Sequence, residues 1–169
     1  MRTRIDRTGS AEITLPSETE ISMVRKFDAP AELVFDVWTT PEHVRNWWGY
    51  PEHQMTECTI DLTVGGEYRY AADIPDFGEL AFRGVFKEID RPHRLVATEI
   101  YEAYPDKEGV NTMTLTEEDG VTTMVVIMAY DSQETRDAVI ESGMEHGLQV
   151  SLNRIDAVLA GLNDQGEDV

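Results

Sequence analysis

Two charged residues set into apolar stretches carry most of the chemistry that this chain could perform. Arg83 lies within Leu80-Ala81-Phe82-Arg83-Gly84-Val85-Phe86, and Glu99 lies within the run from Leu95 to Tyr101. Facing inward together, they would form a polar pair able to orient a carboxylate or hydroxyl on a ligand, with Tyr101 on the Glu99 face. Strand alternation equally allows both to face solvent, where charged side chains are commoner. His146, beside Gly147 in a helical stretch, could serve as a base or hydrogen-bond donor, although its neighbour Glu145 argues for a solvent-facing position. His43, His53 and His93 share no metal-ligand spacing with it and read as surface groups. Cys58 falls on the apolar side of a strand and reads as a small buried hydrophobe, since no adjacent cation is there to activate its thiol. The sequence contains no Gly-x-Ser-x-Gly elbow, no His-Glu-x-x-His helix and no glycine-rich phosphate loop. No catalytic residue, metal ligand or cofactor is therefore assigned.

The stronger candidates are apolar. Trp38, Trp47 and Trp48 fall on short helices, Tyr68 and Tyr70 on one face of a strand, and Phe82 and Phe86 on one face of another. Met113, Met124, Met128 and Met144 add adaptable, polarizable surface suited to a ligand of irregular shape. Ordinary core packing explains each of them equally well, because burying an aromatic side chain stabilises a fold by about 2–3 kcal/mol with or without a ligand.

Recognisable elements must position these groups. Glu20 to Phe27 alternates as a strand, interrupted by Arg25, which then lies at an edge or pairs with an acid. Asp28-Ala29-Pro30 and Thr40-Pro41-Glu42 each signal a helix start, giving two short helices in succession. From His53 to Tyr130 the rhythm becomes that of successive strands, with Gly65-Gly66 and Asp90-Arg91-Pro92-His93 as breaks. Glu117-Glu118-Asp119-Gly120 reads as a hairpin, and strands this closely spaced imply an antiparallel meander. Ser132 to Leu162 reads as one long helix, with Ile140, Met144, Leu148, Leu152, Ile155, Leu159 and Leu162 on a single stripe. Gly143 and Gly147 would each cost that helix about 1 kcal/mol, which implies a packing reason for them. Residues 1–18 read as a loosely attached arm, 19–162 as the folded domain and 163–169 as a disordered acidic tail.

With 14 basic against 33 acidic residues the chain carries a net charge of −19. A field of that sign repels phosphate backbones and anionic membrane surfaces, so neither nucleic acid nor membrane is expected as a partner. A solvated acidic surface is the plain explanation, and adaptation to salt the sharper one. No apolar run approaches the roughly 20 residues of a membrane span. The basic start lacks an apolar stretch after it, and the single cysteine suits a reducing compartment, so a cytoplasmic location is expected.

This order of elements, strand, two short helices, six strands and a long last helix, resembles the START-like helix-grip fold of the birch-pollen-allergen type. The motifs resemble the SRPBCC branch related to the activator of heat-shock-protein-ninety ATPase. Arg25-Lys26-Phe27-Asp28-Ala29-Pro30 with Val34-Phe35-Asp36 and Trp38 carries the likeness, as do Pro41-Glu42-His43 with Trp47-Trp48-Gly49. Asp61-Leu62 with Gly65-Gly66-Glu67-Tyr68-Arg69, and Gly143-Met144 with Gly147, complete it. At Leu148, where relatives often carry tryptophan, the sequence departs from the pattern, and that change should alter the lining of a cavity.

The resemblance implies an α+β fold: a curved antiparallel sheet of about seven strands wrapped on the long C-terminal helix, with two short helices after the first strand. It also implies a deep apolar cavity. The expected function is binding of a hydrophobic small molecule or lipid there, by Trp38, Trp47, Trp48, Tyr68, Tyr70, Phe82, Phe86, Met113, Met128, Met144 and Leu148, with Arg83, Glu99 and Tyr101 fixing orientation. One alternative is a cyclase- or hydrolase-like enzyme using Glu99, Arg83, Tyr101 or His146, which needs two of them within hydrogen-bond reach. The other is an interaction module like the chaperone activator's C-terminal domain. A homodimer is left open.

Overall fold

Alternating apolar residues between His53 and Tyr130 build most of one antiparallel sheet, and the computed structural model describes it within residues 3–5 and 11–167. The strands are β1 Thr3–Ile5, β2 Glu12–Ser17, β3 Glu20–Phe27, β4 Met55–Ile60, β5 Glu67–Ile74, β6 Gly78–Asp90, β7 Arg94–Tyr101, β8 Glu108–Glu118 and β9 Val121–Ala129. Their spatial order is β1-β2-β3-β9-β8-β7-β6-β5-β4. Shifts of register between Met55 and Glu57 and between Phe86 and Glu88 mark bulges, which bend a sheet toward one face. The β8–β9 hairpin closes through Asp119-Gly120, both at positive φ, the two-residue turn whose twist matches that of its strands.

Among the described residues there are nine strands where about seven were expected, because Thr3–Ile5 and Glu12–Ser17 extend the sheet beyond β3. Ile13 pairs with Met23, and Ala11 and Ile13 are buried. The alternation there spans only Ile13 and Leu15, too short to register as a strand. Residues 1, 2 and 6–10 of that expected arm lie outside the described residues.

Four helices cover the inner face: α1 Ala31–Thr39, α2 Pro41–Val44, α3 Gln133–Glu141 and α4 Met144–Glu167. Pro30 stands just before the first turn of α1, and Glu117 Oε1 of β8 accepts the Ala31 N–H at 2.8 Å. The single long helix expected from Ser132 is two helices. Ser132 does cap the first, its hydroxyl accepting the Thr135 N–H. Gly143, at φ +86°, then ends it in a conformation that side-chain-bearing residues resist, so it is a stop rather than a helix interior. α4 continues to Glu167, through most of the segment expected as an acidic tail; residues 168 and 169 lie outside the described residues.

Two buried arginines fasten the helices. Arg25, at the inner face of β3, pairs with Asp156 of α4 and lies 4.9 Å over the Phe27 ring, and Arg136 of α3 donates to the Ser17 carbonyl at 2.6 Å. Arg25 thus takes an acid as its partner, one of the two outcomes its position allowed.

Candidate interior binding site

Strand pairing sets which side chains share the inner face. Tyr70 pairs with Phe82 and Cys58, Phe82 with Tyr101, Glu99 with Gly109, and Leu95 with Met113. Along β6–β9 this face divides by position. Toward α1, Phe86, Leu95, Met113, Leu115, Met124 and Val126 are at most 6% exposed and pack with Phe27, Phe35, Leu152 and Ile155. Toward the other end, where β7 finishes and α3 begins, Phe82, Glu99, Tyr101, Asn111 and Tyr130 all keep accessible surface. Tyr70 does so too, although burial pushes its hydroxyl well above the usual phenol range. Groups that are desolvated by surrounding protein and still keep accessible surface mark this end of the inner face as less completely covered than the end toward α1.

Glu99 is the polar centre of this end. Burial raises its carboxyl above the usual glutamate range, opposed by Asn111, whose amide donates to Oε2 at 3.2 Å. Burial first, and the nearby Glu99 charge after it, raise the hydroxyls of Tyr68 and Tyr130; at Tyr70 burial is followed by Cys58 and then Glu99. Tyr68 passes over Gly84 to donate to the Thr98 carbonyl at 2.7 Å. A Cβ at Gly84 would stand 1.9 Å from that carbonyl oxygen and 2.6 Å from the Tyr68 ring, so only glycine leaves room. Among the described residues Glu99 forms no ion pair, and none of them form a metal-binding group of three.

The wall opposite the sheet is the segment after α2. Trp47 stacks on Trp38 at 5.0 Å and donates its indole N–H to the Val37 carbonyl at 2.9 Å, bolting α2 to α1. That fixes the direction of Trp48, whose ring meets Tyr70 and Phe82 edge-on at 5.9 and 6.0 Å. From α4, Arg154 donates to the carbonyls of Trp48 and Gly49, and Ser151 accepts the Gly49 N–H at 3.0 Å. Gly147 faces Tyr50, where an added Cβ would be 3.7 Å from the hydroxyl, an ordinary contact. At the same end of the sheet, Phe77 and Tyr104 stand exposed on the β5–β6 and β7–β8 turns.

The candidates therefore separate. Tyr70, Phe82, Glu99, Tyr101 and Trp48 come together at the partly uncovered end, and Met144 and Leu148 of α4 are half-buried against the core. Trp47, Tyr68, Phe86, Met113 and Met128 are buried in the packed core itself, and Trp38 is engaged with Trp47. Arg83 is a correction: it pairs with Ile100 on the outer face and approaches Glu102 at 3.7 Å, beside Arg69 with its partners Glu57, Glu79 and Glu102. The alternation that turns Phe82 inward turns Arg83 outward. His146 is exposed, 5.9 Å from the Tyr50 ring, and no hydrogen bond joins any two of Arg83, Glu99, Tyr101 and His146. Cys58 is buried, and its thiol is pushed up to about 11, chiefly by desolvation, so it is no nucleophile. Asn111 and Tyr130 were not among the candidates. Extending the alternation of Met124, Val126 and Met128 by two residues reaches Tyr130, and stepping back two from Met113 reaches Asn111.

Residues 28–160 match the model of a family described as activator of Hsp90 ATPase homolog 1-like protein. Among solved structures, a protein of Rhodobacter sphaeroides superposes with a TM-score of 0.82 at 28% identity, covering 90% of this chain and 99% of its own. A protein of Arthrobacter aurescens gives 0.78 at 29% identity, with 88% and 91% covered. One from Mycobacterium smegmatis gives 0.76 at 25%, with 96% and 98% covered. No curated protein matches the chain. No helix among the described residues is long and apolar enough to cross a membrane.

Proposed function

Since the chain belongs to the activator of Hsp90 ATPase homolog 1-like family, in which hydrophobic ligands are often bound, we propose that it holds a hydrophobic small molecule between the inner face of β5–β9 and the Trp48 segment, without transforming it. One observation supports this reading: the inner face is close-packed toward α1, while Tyr70, Phe82, Glu99 and Tyr101 at its other end keep accessible surface. Apolar burial would drive binding, and the carboxyl and hydroxyl groups would fix orientation. An enzyme needs converging acid and base groups, and the outward Arg83 and exposed His146 leave Glu99 without such a partner. The buried lone Cys58 supports a reducing, cytoplasmic setting.

Solution NMR tests the proposal. Titration with a polycyclic compound should shift the side-chain signals of Trp48, Tyr70 and Phe82 and leave those of Leu115 and Met124 in place. Shifts confined to outward residues such as Arg83 would refute it.

A further inference from the structure

We propose that the guest is a hydrophobic amine, its ammonium group seated between the Glu99 carboxylate and the surrounding tyrosine rings. This rests on the small-molecule reading of the same space and adds the charge of the occupant. Three observations lead there. Glu99 has one oxygen held by Asn111, and neither oxygen meets a cation of the protein among the described residues. The buried arginines are already engaged, Arg25 with Asp156 and Arg136 with Asp137 and the Ser17 carbonyl. Phenol rings lie on the neighbouring strands: the Tyr68 hydroxyl bonds the carbonyl of Thr98, the residue before Glu99, the Tyr70 ring lies 5.1 Å from that of Tyr68, and the Tyr130 ring passes within 3.2 Å of where a Cβ on Gly109 would be, across from Glu99.

An acid without a counter-charge, framed by aromatic faces, attracts a cation twice over. The carboxylate supplies the charge and the ring quadrupoles supply favourable faces. A lone carboxyl in such a place is costly to ionise, and an ammonium group removes that cost by pairing with it. Beyond it, Phe82, Tyr101 and Trp48 offer apolar surface for the remainder of the molecule. A guest ending in a carboxylate meets the opposite situation, with an acid ahead of it, while the guanidinium of the opposite wall, Arg154, already donates to the Trp48 and Gly49 carbonyls. The field of a protein of charge −19 favours approach of the amine as well.

Three probes of one skeleton separate the possibilities: 2-naphthylmethylamine, 2-naphthalenemethanol and 2-naphthoate. Affinities would be measured by NMR titration in about 0.5 M sodium chloride, so that attraction to the acidic exterior is screened. The amine should bind about tenfold or more tightly than the alcohol, and the carboxylate most weakly. In Glu99→Gln the amine should bind no more tightly than the alcohol binds the same variant. Equal binding of amine and alcohol, or an amine preference that survives in Glu99→Gln, would overturn the amine proposal and leave the hydrophobic site standing. Failure of all three to shift Trp48, Tyr70 and Phe82 would overturn both.

Discussion

Leu148 and Leu152 stand one turn apart on the same stripe of α4, and truncating each to alanine should give unequal losses. Leu152 is 1% exposed and packs at the filled end, whereas Leu148 is half-buried. Leu152→Ala removes three buried carbons, about 2.4 kcal/mol of transfer free energy at roughly 0.8 per methylene. The void left in a close-packed surround brings the total to about 3–5 kcal/mol. At Leu148 only part of the side chain leaves contact, and its surroundings are partly open to solvent, so the cavity contribution is small. A loss of about 1 kcal/mol is expected there. For a chain of this length each kcal/mol moves the melting temperature by roughly 2–4 °C, so the two variants should differ by about 4–16 °C. Urea unfolding at unchanged slope, with thermal melts alongside, measures both. Losses within about 0.5 kcal/mol of each other would mean that the inner face is packed alike at both ends, and the argument for a site would fail.

Glu99→Gln should be more stable than the parent at neutral and alkaline pH, with the advantage shrinking in acid. The native carboxyl titrates above its unfolded value, so both states hold the proton below about pH 4, and the native state loses ground as pH rises toward its own pKa. Urea titrations from pH 4 to pH 8 follow this, and a pH-independent difference would count against a buried acid. Gly143→Ala should destabilise by about 1 kcal/mol because its φ is positive, while Gly147→Ala should stabilise by up to about 1 kcal/mol as a helix interior with room to spare. Melting temperatures moving in the same direction would contradict that assignment. Gly84→Ala should cost about 2–3 kcal/mol and disturb the Tyr68 ring signals, since a Cβ collides with the Thr98 carbonyl. An unperturbed spectrum would show that the approach is looser than drawn.

Much of the architecture was legible because period-two alternation and punctuating turns suffice for a meander. Ile21, Met23 and Phe27 turned inward together, as did Phe82 and Phe86. The helix break was not legible, because the apolar stripe continues through Ile140 and Met144 at helical spacing and conceals a φ that only the folded backbone reveals. Arg83 went astray through its chemistry: an arginine amid aromatics suggests a ligand contact, while the simple parity of the strand puts it among the outer carboxylates. Which aromatic residues would stay partly uncovered was beyond the sequence. Trp47 and Trp48 are adjacent and alike, and their fates diverge because the Val37 carbonyl claims one indole.

The uneven filling of the inner face has a consequence for how such a protein diversifies. Cohesion is concentrated where Phe27, Phe35, Met124 and Leu152 interlock, and substitutions there are punished. At the far end, where Phe82, Tyr101 and Leu148 are only partly covered, exchanges for residues of other size cost the scaffold less. Selection can therefore reshape that end through single steps, each survivable by itself.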